Sequence, residues 1–123
     1  GYQRDYCYVA NIADAYRTLA EQISLVERPL WGEAFNFGSE TPRTVLELVD
    51  TILGLIGKRH LLPAIHNTAT REIKQQWLSC GKAHGVLGWT AKVGLEEGLT
   101  ETIAWYTHYL EETCQITARK SVN

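Results

Sequence analysis

The strand-like segments of this chain are too short and too few to build a sheet by themselves. Residues 6–9, 33–38 and 75–79 have the aromatic, β-branched or alternating pattern of short strands. The segment LLPAI contains Pro63 and can be at most an edge strand. Because three or more strands with a covered apolar face are normally needed for independent stability, we expect these strands to depend on sheet partners from elsewhere.

The first of three amphipathic stretches follows residues 6–9. Asn11 is predicted to be the N-cap, and Asp14 places a negative charge in the first turn, where the helix dipole favours it. The helix is expected to end before Pro29. Its predicted apolar face consists of Ile12, Tyr16, Leu19, Ile23 and Val26.

Two further helices have clear terminal signals. Thr44 and Glu47 form a capping-box pattern, and Gly57 is placed to end the helix that follows. Glu96 and Glu97 open the last helix, and the polar tail beyond Thr113 is expected to fray. The apolar faces are predicted to be Val45, Leu48, Val49, Ile52 and Ile56 in one helix and Leu95, Leu99, Ile103, Tyr106 and Leu110 in the other.

Length and composition limit the class of protein. The 123 residues fit one domain, and the order of elements predicts a helix-rich α/β fold with a few short strands. Scattered charges with a net value of −2 argue against a nucleic-acid partner. No apolar run reaches the roughly 18 residues of a membrane-spanning helix, so no membrane partner is expected. The chain begins at Gly1 and contains no methionine, which suggests a fragment.

The cysteines and histidines do not form a recognisable site. Cys7, Cys80 and Cys114 are an odd number without CxxC spacing, so we expect no disulfide framework and a cytoplasmic location. Four histidines at positions 60, 66, 84 and 108 lack the close spacing of metal ligands. We therefore predict solvated or helix-end histidines and no metal site.

The motifs of cofactor binding and proton transfer are missing from the sequence. GKAHGVLG at residues 81–88 lacks the GxGxxG spacing and leaves no room for a βαβ unit, so no cofactor is expected in this chain. No tyrosine has a lysine four residues later, which removes the proton-transfer pair of short-chain dehydrogenases. We predict no catalytic residue in this stretch, and Trp77, Trp89, Trp105 and Tyr106 are expected to fill cores rather than bind a ligand.

Two arginines are the candidates for binding an anion. A guanidinium presents a rigid fork of donors that matches phosphate oxygens. Arg4 precedes a strand-like segment, and Arg71 lies in a polar loop. Both positions suit an anion clamp, although many arginines in such places are merely solvated.

The chain contains four blocks in the order found in extended short-chain dehydrogenases: RDYCYVANIADAY, GEAFNFGSETPRTVLELV, EIKQQWLSCGKAHGVLGW and LEEGLTETIAWY. It resembles the C-terminal part of the NAD-dependent nucleotide-sugar 4,6-dehydratases and 4-epimerases, with CDP-glucose 4,6-dehydratases and their relatives looking most alike. Two departures are Asn11, where an aspartate is usual, and Ser79-Cys80-Gly81 in place of Asp-Ser-Ser. Ser79 is still expected to cap a helix, without the charge of aspartate.

The resemblance implies that residues 1–123 are the C-terminal, substrate-binding domain of an extended Rossmann-fold enzyme. Its partners would be a nucleotide-diphosphate sugar and a missing N-terminal Rossmann part that binds NAD. Arg4 matches the family arginine that contacts the substrate diphosphate, and Arg71 lies in the loop that supplies a second one. Such a fragment would not be catalytic alone, and its unpaired strand edges favour a homo-oligomer.

A free-standing module that binds a nucleotide sugar or a protein without catalysis is the alternative. An upstream reading frame with a Rossmann fingerprint would favour the enzyme, whereas a gene that starts just before Gly1 would favour the module.

Overall fold

The computed structural model describes residues 1–23, 30–66, 68 and 71–120, with only the helical backbone described for residues 114–120. The predicted face position Val26 and the side chain of Cys114 lie outside the described part. The described elements are β1 (Gln3–Arg4), α1 (Val9–Gln22), β2 (Arg43–Thr44), α2 (Val45–Leu55), β3 (Gln75–Gln76), α3 (Gly81–Leu87) and α4 (Leu95–Lys120). The predicted helix-rich α/β fold with short strands is confirmed.

The expectation that the strands cannot build a sheet by themselves is wrong, because three short strands of this chain form one sheet in the order β2-β1-β3. β1 runs antiparallel to β2, with Gln3 opposite Thr44 and Arg4 opposite Arg43. It runs parallel to β3, with Gln3 opposite Gln75 and Arg4 opposite Gln76. The central strand of the sheet therefore carries Arg4.

Two strand predictions need correction. The first strand lies at Gln3–Arg4, and the predicted residues 6–9 instead lead into α1. Residues 33–38 are not a strand, because no described strand pairs with them. Their alternation is nevertheless real, since Phe35 and Phe37 are both partly buried and Phe37 meets Trp89 edge to face at 4.9 Å. The segment thus has the side-chain pattern of a strand without its hydrogen-bonded neighbour.

Asn11 does not cap α1, because Tyr8 occupies that position. Asn11 lies inside the helix with only 3% of its surface exposed. Its Nδ2 donates to the carbonyl oxygen of Val93 at 2.8 Å, and its Oδ1 accepts from the N–H groups of Lys92 and Val93, each at 3.0 Å. The amide therefore joins α1 to the segment before α4.

The first turn of α1 contains no acidic residue, so the prediction for Asp14 is also wrong. Asp14 forms ion pairs with Arg17 at 2.5 Å and with Lys92 at 3.1 Å. Hydrogen bonds from these two cations lower the pKa of the Asp14 carboxyl. α1 ends before Pro29, as predicted.

Both ends of α2 are as predicted. Thr44 Oγ1 accepts from Glu47 N at 3.1 Å, and Glu47 Oε2 accepts from Thr44 N at 2.7 Å. Gly57 has a φ of +67°, and Lys58 N donates to Leu53 O at 2.7 Å. These contacts form a capping box and a Schellman-type C-terminus.

α3 occupies the segment that lacks GxGxxG spacing, and its N-cap is Cys80 rather than Ser79. It ends at Gly88, which has a φ of +65°, so that Trp89 follows the helix end as predicted. α4 begins with Glu96 and Glu97 in its first turn. It continues to Lys120, so the prediction of fraying beyond Thr113 is wrong.

The described core lies between α1, α3 and the segments that flank them. Phe35, Phe37, Leu19 and Ile23 pack against its edge. The buried apolar residues are Ala15, Leu30, Cys80, Ala83, Leu87 and Trp89. We call this region the closed side.

α2 and α4 make a different surface, which we call the open side. No residue of α2 is fully buried, and Trp105 and Tyr106 of α4 are 59% and 54% exposed. The prediction that four aromatic residues fill a core therefore holds for Trp89 and is wrong for Trp77, Trp105 and Tyr106 within the described structure. No described helix has the length and apolar character needed to cross a membrane.

Candidate functional site

Arg4 occupies the middle strand of the sheet because residues 3–4 pair on both sides. Its side chain is 29% exposed. Nη1 donates to the carbonyl oxygen of Gln3 at 2.8 Å, and the guanidinium lies 5.9 Å from the ring centroid of Tyr2. Because a guanidinium has five N–H donors, the hydrogen bond to Gln3 leaves Arg4 able to bind an anion.

The loop that contains Arg71 reaches the same sheet. Gln3 N donates to Lys74 O at 2.8 Å, which extends the pairing of β1 with β3 toward that loop. Glu72 Oε2 lies 3.7 Å from Arg4 Nη2, while Arg71 itself is exposed on a bend. The structure thus brings the two predicted segments together, with Glu72 rather than Arg71 in contact with Arg4.

A carboxylate beside Arg4 anchors the turn that leads into β2. Asp5 Oδ1 accepts from Ser39 N at 3.1 Å and from Ser39 Oγ, and Asp5 Oδ2 accepts from Glu40 N at 3.1 Å. We call these three hydrogen bonds the Asp5 clasp. The clasp was not predicted from the sequence, although an aspartate next to Arg4 and the polar run SET were the signals that could have indicated it.

An apolar groove of about 760 Å³ lies beside the clasp. It runs between residues 5–9, α2 and α4. Its walls include Tyr6, Val9, Leu48, Leu95, Leu99, Trp105 and Tyr106. Gly98 forms part of its floor, where a Cβ would lie 2.7 Å from Tyr8 Cβ.

The cysteines near this region are poorly suited to nucleophilic chemistry. Burial raises the pKa of the Cys7 thiol. Burial, together with the carboxylates of Glu40 and Asp5, raises the pKa of Cys80. Both groups therefore favour the protonated thiol, which is the less reactive form.

The part of the chain that the structure describes holds no cluster of three or more metal-ligating side chains. All four histidines are exposed, and His108 Nε2 lies 3.3 Å from Glu112 Oε1. Their exposure agrees with the prediction of solvated or helix-end histidines.

No protein-family model matches the sequence. The chain is 28% identical over 109 residues to the UDP-glucuronate 4-epimerase of Thermodesulfobacterium geofontis, covering 88% of the chain and 31% of that relative. It also resembles the crystal structure of a UDP-glucose 4-epimerase from Thermotoga maritima bound to UDP-glucose. In that comparison the TM-score is 0.75 and the identity 28%, covering 89% of this chain and 33% of the other.

A third comparison supports the same fold. The UDP-glucose 4-epimerase of Bifidobacterium longum in complex with NAD⁺ and UDP has a TM-score of 0.69 and 23% identity, covering 87% of this chain and 30% of that structure. Matched relatives also include dTDP-glucose 4,6-dehydratases. The chain spans about a third of the length of the relatives it matches.

The architecture is that of the helix-rich C-terminal part of Rossmann-fold epimerases. Over most of its length the chain is similar to the C-terminal part of NAD-dependent epimerases and dehydratases, which are extended short-chain dehydrogenases. The family resemblance inferred from the four ordered blocks is therefore confirmed. Its finer assignment to CDP-glucose 4,6-dehydratases stays a prediction.

Proposed function

We propose that residues 1–123 are the sugar-nucleotide-binding C-terminal domain of an NAD-dependent nucleotide-sugar 4,6-dehydratase or 4-epimerase. Arg4 contacts the diphosphate of the substrate, and Arg71 contributes a second, weaker contact. The observation that carries the proposal is the position of Arg4 in the central strand of a sheet that also draws in the segment of Arg71.

The ion pair between Arg4 and Glu72 is compatible with this role. Its N···O distance of 3.7 Å is long, and the Glu72 side chain is 56% exposed. Exposed ion pairs of this kind contribute little to stability. A diphosphate can replace Glu72 at the guanidinium and bind in the bidentate geometry that favours arginine.

NAD would be held by the remaining two thirds of the parent enzyme. The coverage of the relatives supports this division, because the matched part is about a third of their length. NAD supplies reversible oxidation of the sugar at C4, which precedes either loss of water or reduction back to an alcohol. The role of the present residues is to bind and orient the nucleotide sugar.

The missing Rossmann part is the proposed partner of the open side. Trp105, Tyr106 and Leu110 are more than half exposed on one helix. Contiguous apolar surface of this kind is typical of contact faces. In the isolated chain the same surface would favour homo-oligomers, which light scattering would detect.

Replacing Arg4 tests the binding role. Arg4→Ala in the full-length enzyme should weaken nucleotide-sugar binding by about 10- to 150-fold, corresponding to roughly 1.5–3 kcal/mol for a hydrogen bond to a charged group. Arg71→Ala should weaken binding less. Arg17→Ala is the matched control, because Arg17 lies on the exposed face of α1 and pairs with Asp14 and Glu21. Unchanged substrate affinity in Arg4→Ala would show that Arg4 is structural.

The division of the enzyme is tested with the isolated chain. Calorimetry should detect no micromolar binding of NAD, and no nucleotide sugar should be converted. Turnover by residues 1–123 would contradict the proposal. The absence of a Rossmann-encoding segment upstream in the gene would instead support a free-standing binding module.

A further inference from the structure

We propose that Asp5 is a positioning residue that holds Arg4 in the geometry needed to bind the substrate diphosphate. This inference rests on the proposed function of Arg4. Asp5 does not contact the substrate in this proposal. It acts through the hydrogen bonds of the Asp5 clasp, which fix the chain immediately after Arg4.

The clasp ties together two strands that are very short. β1 and β2 contain two residues each, and their register places Arg4 directly opposite Arg43. Like charges at directly opposite positions destabilise an antiparallel pair. Asp5 follows β1 immediately, and its partners Ser39 and Glu40 precede β2, so the clasp closes the end of the pair.

The turn held by Asp5 is itself fixed by further contacts. Glu40 has a φ of +53°, a backbone conformation that is uncommon for residues other than glycine. Its Oε1 accepts from Cys80 N at 2.9 Å, which connects the turn to the beginning of α3. Thr41 N donates to Ser39 Oγ at 3.2 Å. Asp5 is therefore attached to the closed side rather than to a loose loop.

Gly38 provides the space for the carboxylate. A Cβ at this position would fall against Asp5 Oδ2, and Gly38 is buried. A methyl group there would displace the carboxylate without changing its charge. Gly38→Ala and Asp5→Asn thus disturb the same clasp by different physical means.

The experiment measures nucleotide affinity by calorimetry in the full-length protein. UDP, dTDP, CDP and GDP are compared, and the tightest is then measured beside its own monophosphate. Asp5→Asn should weaken diphosphate binding by about tenfold, because its amide would point a donor at Glu40 N–H. Monophosphate binding should change less, and Gly38→Ala should reproduce this difference.

Two further variants keep the test informative. Ser39→Ala removes the Oγ donor from the clasp, together with the acceptor of Thr41 N, and should give a smaller loss of diphosphate affinity. This variant covers the case in which Asp5→Asn does not fold. Gly85→Ala is the control for Gly38→Ala, since nothing lies within 4 Å of a Cβ at Gly85. Gly85→Ala should leave diphosphate affinity unchanged.

A double-mutant cycle separates positioning from general stability. If Asp5 acts through Arg4, Asp5→Asn should cause almost no further loss of affinity when Arg4 is already alanine. Equal losses in both backgrounds, or normal affinity in folded Asp5→Asn, would overturn the positioning role while leaving the binding role of Arg4 intact. Normal affinity in Arg4→Ala would overturn both proposals.

Discussion

The closed side and the open side of this chain differ in how far they bury their large aromatic side chains. On the closed side Trp89 is 3% exposed, whereas Trp105 on the open side is 59% exposed. Helical periodicity did not predict this difference, because the predicted apolar face of α1 includes Tyr16, which is 67% exposed, whereas the buried positions of α1 are Asn11 and Ala15. The difference is the pattern expected of one part of a larger folding unit, in which a second part covers the open side.

The two tryptophans give the largest expected contrast. Trp89→Ala should lower the free energy of unfolding by about 3–5 kcal/mol, because it opens a cavity in the closed side. Trp105→Ala should change it by no more than about 0.5 kcal/mol in the isolated chain. Urea unfolding followed by circular dichroism measures both. Equal losses would contradict the division into two sides, and a larger effect of Trp105→Ala in the full-length enzyme would sharpen it.

The next largest expected change in the free energy of unfolding comes from replacing Asn11. Asn11→Ala should cost about 3 kcal/mol, since it leaves the N–H groups of Lys92 and Val93 without their acceptor. Asn11→Asp is the matched variant, because it keeps both accepting contacts while a carboxyl oxygen replaces the Nδ2 donor that faces Val93 O. In urea unfolding, Asn11→Asp should lower the free energy of unfolding by less than Asn11→Ala does. If Asn11→Ala were neutral, the amide would not be what holds the two segments together.

Gly98 tests how tightly the open side is joined to the segment before α1. Gly98→Ala should cost about 1–3 kcal/mol, because its Cβ would lie 2.7 Å from Cβ and Cγ of Tyr8. The control Gly85→Ala lies in α3 with open space around it and should stabilise the helix by about 0.5–1 kcal/mol. Thermal unfolding should therefore move in opposite directions for the two variants. If the unfolding temperatures of both variants shifted in the same direction, the Tyr8 side chain would move aside easily to accommodate a Cβ at position 98.

The capping box of α2 gives the smallest effect. Thr44→Ala should cost about 1 kcal/mol in urea unfolding at neutral pH. Hydrogen bonds from Thr44 N and Oγ1 lower the pKa of Glu47, so its contribution is present above the ordinary glutamate pKa and is lost as the pH falls through the lowered value. Glu47→Gln should reduce this acid-dependent loss. An unchanged pH profile would show that Glu47 does not contribute through its charge.

Local signals in the sequence predicted both ends of α2 and the acidic first turn of α4, whereas contacts between distant residues were not predictable. The capping box at Thr44 and the turn at Gly57 each depend on a few consecutive residues. Asn11 was predicted to be a cap because asparagine is a preferred N-cap residue. The prediction failed because its hydrogen-bond partners lie about eighty positions later in the chain, beyond the range of local sequence patterns. Residues 33–38 were predicted as a strand because their alternation is correct, but a strand also requires a neighbour.

The candidate site was likewise predicted only in part from the sequence. Arg4 was identified by its residue type and by the family blocks, and the structure gave it a place in the central strand. The Asp5 clasp was not identified, because the interaction joins residues that are 34 and 35 positions apart. Arg71 lies in the segment that was predicted, although the side chain that reaches Arg4 is that of Glu72.

The hydrogen bonds of Asn11 also affect the order in which the chain can fold during synthesis. Asn11 and Val93 are separated by 82 positions. The pairing of β1 with β3 likewise joins residues that are far apart in sequence, such as Gln3 and Gln75. Contacts that close such long loops form late and slow the folding of a domain. While a ribosome is still adding the middle of the chain, α1 therefore has no partner for its buried amide. Translation must pass Val93 before this amide can form its hydrogen bonds.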